Sequence, residues 1–242
     1  MAPPADRHDF PDCQGCPYVN PGQWTICVPC AAEQLSSIQD PCPICAQERR
    51  DGRCHNRLCT RPANSRHFEG ITAITLHNDP LVDVMQRFKY RGKTGWGMIF
   101  ARLLIGHLYE TWDPADVDLI IANPPNPGRN HTTLVIGHAA TYDTADDWPF
   151  DDTHDPAIIK TTDTAQSAGK DLPGKESAAL EHGNALVLRH PDRIDGSRVI
   201  VYDDICTTGL QLNAVARHLR EWGAVSVHGV VLARQPWSEG SN

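Results

Sequence analysis

The stretch that most restricts the fold of this 242-residue chain lies near its carboxyl end. A β-branched run over 198–202 predicts a strand, and two adjacent acids and a Thr-Thr-Gly loop follow it. Apolar residues then recur at helical spacing over 212–222, and another strand is predicted over 225–232. This strand–loop–helix–strand order indicates an α/β fold with a parallel sheet and helical crossovers.

The loop between this strand and this helix suits a phosphorylated sugar. Ligands of open α/β sheets bind at the carboxyl ends of strands, and a helix N-terminus offers unpaired N–H groups to a phosphate. Asp203 and Asp204 are placed to accept hydrogen bonds from sugar hydroxyls or to approach magnesium through water. The predicted phosphate-binding residues are Asp203, Asp204, Ile205, Cys206, Thr207, Thr208, Gly209 and Gln211.

Eight of the nine cysteines lie within residues 13–59, in pairs separated by two or four residues. A Cys-x2-Cys turn directs two sulfurs at one ion, and two such turns complete a closed, structural zinc site. The spacing therefore predicts two structural zinc ions, which would supply folding energy to a segment with few apolar runs. The predicted ligands are Cys13, Cys16, Cys27, Cys30, Cys42, Cys45, Cys54 and Cys59.

The pairing of these ligands leaves alternatives open. Sequential pairing assigns the first four cysteines to one ion and the last four to the other, whereas interleaved pairing gives a cross-braced finger. His55 can replace Cys54 in the second set, and a single zinc ion or an iron–sulfur cluster are further alternatives. A reducing compartment favours metal over disulfides.

The composition changes near His67, which predicts a zinc-ribbon module at residues 1–66 and an α/β domain at residues 67–242. The net charge of -8 opposes a role as a nucleic-acid coat. No stretch approaches the roughly 18 to 20 apolar residues of a membrane span, and no apolar run follows the first residues as it does in a signal peptide. We therefore expect a cytoplasmic protein with no membrane span.

Two polar stretches are predicted to lie outside regular structure. Residues 161–183 contain several glycines and a proline, which predicts a mobile lid over a ligand. Lys160, Lys170 and Lys175 are candidate residues of this lid, and the alternative for each is a solvated surface lysine. Residues 143–155 contain six aspartates and no lysine or arginine, which predicts a solvated loop.

Six arginines lie close to the predicted zinc ligands of the second set. Such a patch can bind the phosphates of a nucleic acid. The alternative is a solvated face that offsets the acidic main domain or docks onto it. These residues are Arg49, Arg50, Arg53, Arg57, Arg61 and Arg66.

The stretch 199–212 resembles the phosphoribosyl-pyrophosphate (PRPP) motif of the type I phosphoribosyltransferases. In that family the two acids hold the ribose hydroxyls and the following loop wraps the 5-phosphate, which assigns these roles to Asp203, Asp204 and the Thr207–Gly209 loop. One position departs from the pattern, because Gln211 stands where the family usually has threonine or serine. The resemblance implies a type I phosphoribosyltransferase-like fold, a Rossmann-like parallel sheet with flanking helices.

The whole chain resembles the ComF-like branch, which joins an N-terminal cysteine cluster to a phosphoribosyltransferase domain. Residues 88–93 (Phe-Lys-Tyr-Arg-Gly-Lys) are similar to its basic turn, and residues 164–166 (Thr-Ala-Gln) to its Thr-x-Gln segment. The branch's pyrophosphate loop corresponds to residues 123–130, whose sequence differs here. In this loop the resemblance assigns pyrophosphate contacts to Asn126 and Arg129.

The resemblance implies an enzyme that uses magnesium and PRPP to transfer a phosphoribosyl group to an unknown nucleophile. The alternative is a non-catalytic protein of the DNA-uptake type, which binds nucleotides or single-stranded DNA with the same pocket and the zinc module. Dimers are common in the resembled family, so a homodimer is a further expectation.

Overall fold

A computed structural model describes residues 35–92, 94–165 and 169–236. The strands in these ranges are β1 (Gly70–Leu76), β2 (Leu119–Ala122), β3 (Ile158–Lys160), β4 (Leu186–Leu188), β5 (Arg198–Cys206) and β6 (Ser226–Arg234). Four of them form a parallel sheet in the order β1-β6-β5-β2, and β3 pairs with β4 in a separate antiparallel ribbon. The predicted α/β fold with a parallel sheet is confirmed.

Helices cover both faces of the parallel sheet. They are α1 (Arg57–Thr60), α2 (Asp79–Tyr90), α3 (Trp96–Thr111), α4 (His131–Tyr142), α5 (Leu172–Asn184), α6 (Pro191–Ile194) and α7 (Leu210–Glu221). Alternate strand residues point to opposite faces, so Ile120 and Ile200 pack with α2, α3 and α4, whereas Ile121 and Val201 pack with α7. No helix in the described ranges is long and apolar enough to cross a bilayer.

The central strand β5 is longer than its apolar run predicts. The pairing of β5 with β6 continues through Asp203 and Ile205 to Cys206, so both acids belong to the strand and not to a loop. Only residues 207–209 separate β5 from α7. The prediction of a polar loop over 203–209 is therefore wrong in its first half, because backbone pairing with a central neighbour outweighs the low strand propensity of aspartate.

The prediction of an irregular lid over 161–183 is also wrong for its second half, which forms helix α5. Asp171 caps this helix by accepting a hydrogen bond from the Gly174 N–H at 3.0 Å, and Pro173 lies in the first turn, where no N–H is needed. Gly183 lies against the side chains of His218 and Ala214 on α7. The glycine and proline that suggest a loop serve instead as a helix start and a close helix contact.

The acidic stretch 143–155 is partly buried rather than solvated. Trp148 is buried in the core, and Phe150 forms a parallel bridge to Ile120 at the edge of the sheet. Asp151 is also buried, where it accepts a hydrogen bond from the Ala157 N–H at 2.8 Å. Two aromatic residues therefore anchor a segment whose net charge suggests exposure.

The described part of the cysteine-rich segment covers the edge strand β1. The Ile71 N–H donates to the Ile44 carbonyl, and the Leu76 N–H donates to the Ser36 carbonyl, both at 2.9 Å. Leu58 is buried in the same apolar cluster as Ile71. An unpaired strand edge is a site of aggregation, so this segment completes the sheet as well as carrying cysteines.

Leu58→Ala is expected to destabilise the whole chain, because Leu58 packs into the core beside β1. Truncation of a buried leucine costs about 2–5 kcal/mol. The control Leu180→Ala, at a residue that is 51% exposed, should change the free energy of unfolding by less than about 0.5 kcal/mol. Urea unfolding followed by tryptophan fluorescence measures both. Equal midpoints for the two variants would contradict the shared core.

Candidate functional site

Two adjacent aspartates lie buried at the carboxyl end of β5. The pairing of Ala122 with Tyr202 places Asn123 beside Asp203, and the Asn123 Nδ2 donates to Asp203 Oδ2 at 2.8 Å. Asp203 is 8% exposed and Asp204 is 4% exposed. The amide from the end of β2 therefore fixes the first carboxylate in position.

Basic side chains from α2 and α4 balance the second carboxylate. Lys89 Nζ lies 2.6 Å and His131 Nε2 3.2 Å from Asp204 Oδ2. Burial opposes ionisation of Asp204, but Lys89 and His131 hold its pKa below the usual range. Burial and the neighbouring Asp204 charge raise the pKa of Asp203 to about 7. The pair thus carries one firm negative charge and a second carboxyl that titrates near neutrality.

The phosphate loop (residues 207–209) follows these acids and leads into α7. Gly209 adopts a left-handed backbone with φ of 81°, which only glycine reaches without strain. A Cβ at this position would lie 3.3 Å from Ile71 Cδ1 and 3.4 Å from Leu58 Cδ2. The loop and the first turn of α7 line an open cleft together with both acids, so a phosphate there would meet the N-terminus of a helix.

A chain of hydrogen bonds runs from the acids to the opposite wall of the cleft. His182 Nε2 lies 2.9 Å from Asn123 Oδ1, and His182 Nδ1 lies 2.9 Å from Lys160 Nζ. Because the amide oxygen only accepts, Nε2 carries the proton and Nδ1 accepts from the ammonium. Burial, with Lys160 and His218 adding to it, lowers the pKa of His182 to about 3, and burial lowers the pKa of Lys160 to about 8.

The loop after β2 lines the same cleft. Asn126 accepts a hydrogen bond from Lys160 through its side-chain oxygen and donates through Nδ2 to the Thr164 carbonyl at 3.0 Å. The Arg129 guanidinium lies over the Tyr90 ring, 5.4 Å from its centroid. Asn126 thus connects this loop to the end of β3, while Arg129 places a cation at the wall of the cleft.

The structure brings every predicted phosphate-binding residue to one cleft: Asp203, Asp204, Ile205, Cys206, Thr207, Thr208, Gly209, Gln211, and also Asn126 and Arg129. Burial raises the pKa of the Cys206 thiol to about 11, so this cysteine stays protonated and is a poor nucleophile.

Sequence reasoning missed the residues that support the acids, namely Lys89, Asn123, His131 and His182. Lys89 lies in the basic turn that the motif comparison singles out. Asn123 directly follows an apolar strand, which is a signal for a site residue in this type of sheet. His182 lies in the stretch that is predicted to be an irregular lid, and neither His182 nor His131 carries such a signal.

Comparison with known proteins identifies a domain in the carboxyl-terminal part of the chain. Residues 157–241 match the phosphoribosyl transferase domain family. The chain contains a phosphoribosyltransferase domain. It is 46% identical over 72 residues to the adenine phosphoribosyltransferases of Clavibacter michiganensis subsp. michiganensis and Clavibacter sepedonicus. That alignment covers 28% of this chain and only 41% and 37% of the two relatives.

Four cysteines lie together beside the phosphoribosyltransferase domain. The sulfurs of Cys42, Cys45, Cys54 and Cys59 lie within 4.8 Å of one another. The Cys42–Cys59 distance is 4.0 Å and the Cys45–Cys54 distance is 3.7 Å, too long for disulfides. A tetrahedron with metal–sulfur bonds of about 2.3 Å has edges of about 3.8 Å. The cluster therefore fits zinc, and it joins the set that sequential pairing predicts; Cys13, Cys16, Cys27 and Cys30 lie outside the described residues.

The arginine patch is partly docked on its surroundings. Arg61 pairs with Glu176 on α5 of the phosphoribosyltransferase domain, and Arg49 pairs with Asp40. Arg66 donates to the Arg61 carbonyl at 3.2 Å. The Arg61–Glu176 pair follows the docking alternative, whereas the contacts of Arg49 and Arg66 lie within the cysteine-rich segment.

Gly209→Ala is expected to weaken phosphate binding, because it strains the loop and presses a methyl group against Ile71 and Leu58. Gly196→Ala is the matched control, since Gly196 has φ of 76° and nothing within 4 Å of an added Cβ. Each change should cost about 1–2 kcal/mol of stability through the left-handed backbone. Calorimetric titration with ribose 5-phosphate should show weaker binding in Gly209→Ala alone. Equal affinities would contradict the assignment of the loop.

Stability is expected to fall with acidification because His182 stays neutral in the fold. Unfolded histidine has a pKa of about 6.5, so below that pH the unfolded state binds a proton that the native state excludes. The free energy of unfolding falls by about 1.4 kcal/mol for each pH unit below the unfolded pKa. This fall continues until the pH approaches the folded pKa of about 3. His182→Gln retains a hydrogen-bond donor and an acceptor but cannot bind a proton. It should therefore reduce the slope of the free energy of unfolding against pH between pH 6 and pH 5. Urea unfolding at equal zinc content measures it; identical slopes would contradict a neutral His182.

Proposed function

We propose that this protein binds magnesium–PRPP in the cleft and transfers its phosphoribosyl group to a nucleophile, with release of pyrophosphate. The observation that carries the proposal is the buried pair of Asp203 and Asp204, which directly precedes the loop at the N-terminus of α7. The match of residues 157–241 to the phosphoribosyl transferase domain family supports it.

Each end of PRPP has suitable partners in the cleft. The 5-phosphate would accept hydrogen bonds from the Thr207–Gly209 loop, with Gln211 offering an amide in the first turn of α7. Asp203 and Asp204 would accept hydrogen bonds from the ribose hydroxyls. Arg129 and Lys160 are the cations that we assign to the pyrophosphate end, and we assign Asn126 the role of positioning Lys160.

The acids also suit magnesium, which prefers carboxylate oxygens and retains water ligands. Asp203 and Asp204 would hold the ion directly or through water. A magnesium ion bound with the pyrophosphate would neutralise charge that develops on the leaving group. Lys89 and His131 keep Asp204 ionised for either role.

The transfer breaks one bond and forms another at C1 of the ribose. The lone pair of the acceptor attacks C1, the bond from C1 to the pyrophosphate oxygen breaks, and that electron pair leaves with pyrophosphate. An acceptor N–H loses its proton to solvent or to a base. The ribose passes through an oxocarbenium-like state, and the negative charge of Asp204 beside the sugar would stabilise it.

The relatives suggest which acceptor to test first. Both aligned proteins are adenine phosphoribosyltransferases, so we propose a nucleobase and begin with adenine. The hood (β3, α5 and β4) and the loop after β2 would form the acceptor wall, with Lys160 and Thr164 as its polar groups.

We further propose that residues 1–66 form a structural zinc module and residues 67–242 the catalytic domain. The four-cysteine cluster would hold one zinc ion, and Cys13, Cys16, Cys27 and Cys30 a second. Four thiolates leave no open position for catalysis, so both ions stabilise the fold.

Calorimetric titration of PRPP into the full chain, with and without magnesium, tests the proposal. We expect micromolar binding that requires magnesium. Asp203→Asn/Asp204→Asn should weaken it at least about 100-fold, since both hydroxyl contacts lose their charge assistance. Asp192→Asn, at an exposed residue outside the cleft, should bind as the unmodified protein does. Release of pyrophosphate with adenine present then tests transfer.

A folded, zinc-loaded protein that binds no PRPP would overturn the proposal. Titration with nucleotides and with single-stranded DNA would then follow, because those ligands belong to the non-catalytic alternative. PRPP binding without turnover on any nucleobase would retain the pocket and reject the acceptor class.

A further inference from the structure

One buried arginine joins the four-cysteine cluster to the phosphate loop. Arg234, the last residue of β6, is 0% exposed. Its Nε donates to the Cys45 carbonyl at 2.8 Å, and its Nη1 donates to the Cys206 carbonyl at 2.7 Å. Nη1 also contacts the Thr207 carbonyl, and Nη2 lies 3.9 Å from Cys45 Sγ. A single planar group therefore holds a turn of the cluster and the start of the loop.

The buried positive charge of Arg234 faces cysteine sulfurs and not a carboxylate within the described ranges. Among the residues that the structure describes, no aspartate or glutamate pairs with Arg234, and the groups that face it are the sulfurs of Cys45, Cys54 and Cys206. Arginine stays protonated in proteins, and a buried cation is costly without an opposite charge. Four neutral thiols provide none, whereas a divalent ion with four thiolates carries a net charge of -2. The loaded cluster therefore supplies the counterion that Arg234 requires.

A second contact runs parallel to the first. The Asn56 side chain caps helix α1, which separates Cys54 from Cys59, by accepting from the Leu58 N–H at 3.0 Å. Its Nδ2 donates to the Thr208 carbonyl, also at 3.0 Å. Both halves of the cluster thus hold the loop by its carbonyl groups.

These contacts fix the direction of the loop amides. In a trans peptide the carbonyl and the following N–H point to opposite sides. Because the carbonyls of Cys206 and Thr207 accept from Arg234, the N–H groups of residues 207 and 208 are directed away from that arginine, whereas the Gly209 N–H donates to the Cys206 thiol. Successive amides with this orientation form an anion-binding nest.

We propose that Arg234 is a positioning residue that couples metal loading of the four-cysteine cluster to phosphate binding by the loop. The inference rests on the proposed function, because it takes the loop as the 5-phosphate site. Removal of the metal would leave Arg234 without its counterion and weaken its hold on the Thr207 carbonyl, so the loop amides would lose their alignment, while the Cys206 carbonyl would keep its hydrogen bond from the Gln235 N–H. By linkage, a ligand on the loop must tighten metal binding by the same factor that the metal tightens the ligand.

The test measures zinc and PRPP affinities in the full chain. This chain carries Cys27→Ser and Cys30→Ser, so that the described cluster is the complete four-cysteine set. Zinc affinity is measured by competition with a chromophoric chelator, with and without saturating ribose 5-phosphate. PRPP affinity is measured by calorimetry in zinc-loaded and zinc-stripped protein. We expect a coupling factor of about tenfold in both directions.

Three arginine variants separate charge from geometry. Arg234→Met removes both, and should weaken zinc binding and abolish the coupling. Arg234→Lys keeps the charge without the planar fork, and should retain most of the zinc affinity while losing the coupling. Arg198→Met, at an arginine of the neighbouring strand that pairs with Asp116 and Asp118, should change neither.

The experiment gives different results for failure of the coupling and for failure of the proposed function. If PRPP binds equally to loaded and stripped protein, the coupling is overturned and the proposed function stands. If PRPP and ribose 5-phosphate do not bind the loaded protein at all, the proposed function fails and the coupling falls with it. If Arg234→Met and Arg198→Met bind zinc equally, Arg234 is not the counterion. The linkage measured in the Cys27→Ser and Cys30→Ser chain requires no arginine variant, so it stays decisive if Arg234→Met does not fold.

Discussion

The site depends on burying two adjacent carboxylates at the end of a central strand. Such a pair is costly without compensation, since burial and mutual repulsion both oppose ionisation. Lys89 neutralises Asp204 from α2, the His131 ring contacts it from α4, and Asn123 satisfies Asp203 from the neighbouring strand. Helices α2 and α4 and strand β2 thus lie around β5 where their side chains can compensate the two carboxylates. The cleft is consequently built from several distant parts of the chain.

The polar chain through His182 extends this organisation to the far wall. Lys160 donates to a neutral histidine, which donates to Asn123, which donates to Asp203. Every donor in the chain meets an acceptor, which is the condition under which a buried polar network stabilises one arrangement. The proposed acceptor wall is therefore held in a fixed relation to Asp203 and Asp204.

The sequence predicted the parts of the fold that local patterns encode. Helix α7 and strand β6 lie close to where their patterns place them, over 210–221 and 226–234. Helix α5 escaped prediction because Gly183 is explained only by its contact with α7, which is distant in sequence. The role of Arg234 was equally hidden, since a lone arginine after an apolar strand carries no local signal. Interactions set by tertiary packing were missed, whereas motifs set by neighbouring residues were found.

Helix α5 packs against α7 where Gly183 approaches Ala214, and α7 begins at the phosphate loop. A larger side chain at residue 183 would push the two helices apart, and the displacement would reach the N-terminus of α7. Under the proposed function, the freedom to acquire new acceptors would therefore be uneven along the hood. Substitutions in the connection between β3 and α5 would reshape the proposed acceptor wall, whereas substitutions on the α7-facing side of α5 would also disturb the loop that we propose binds the 5-phosphate.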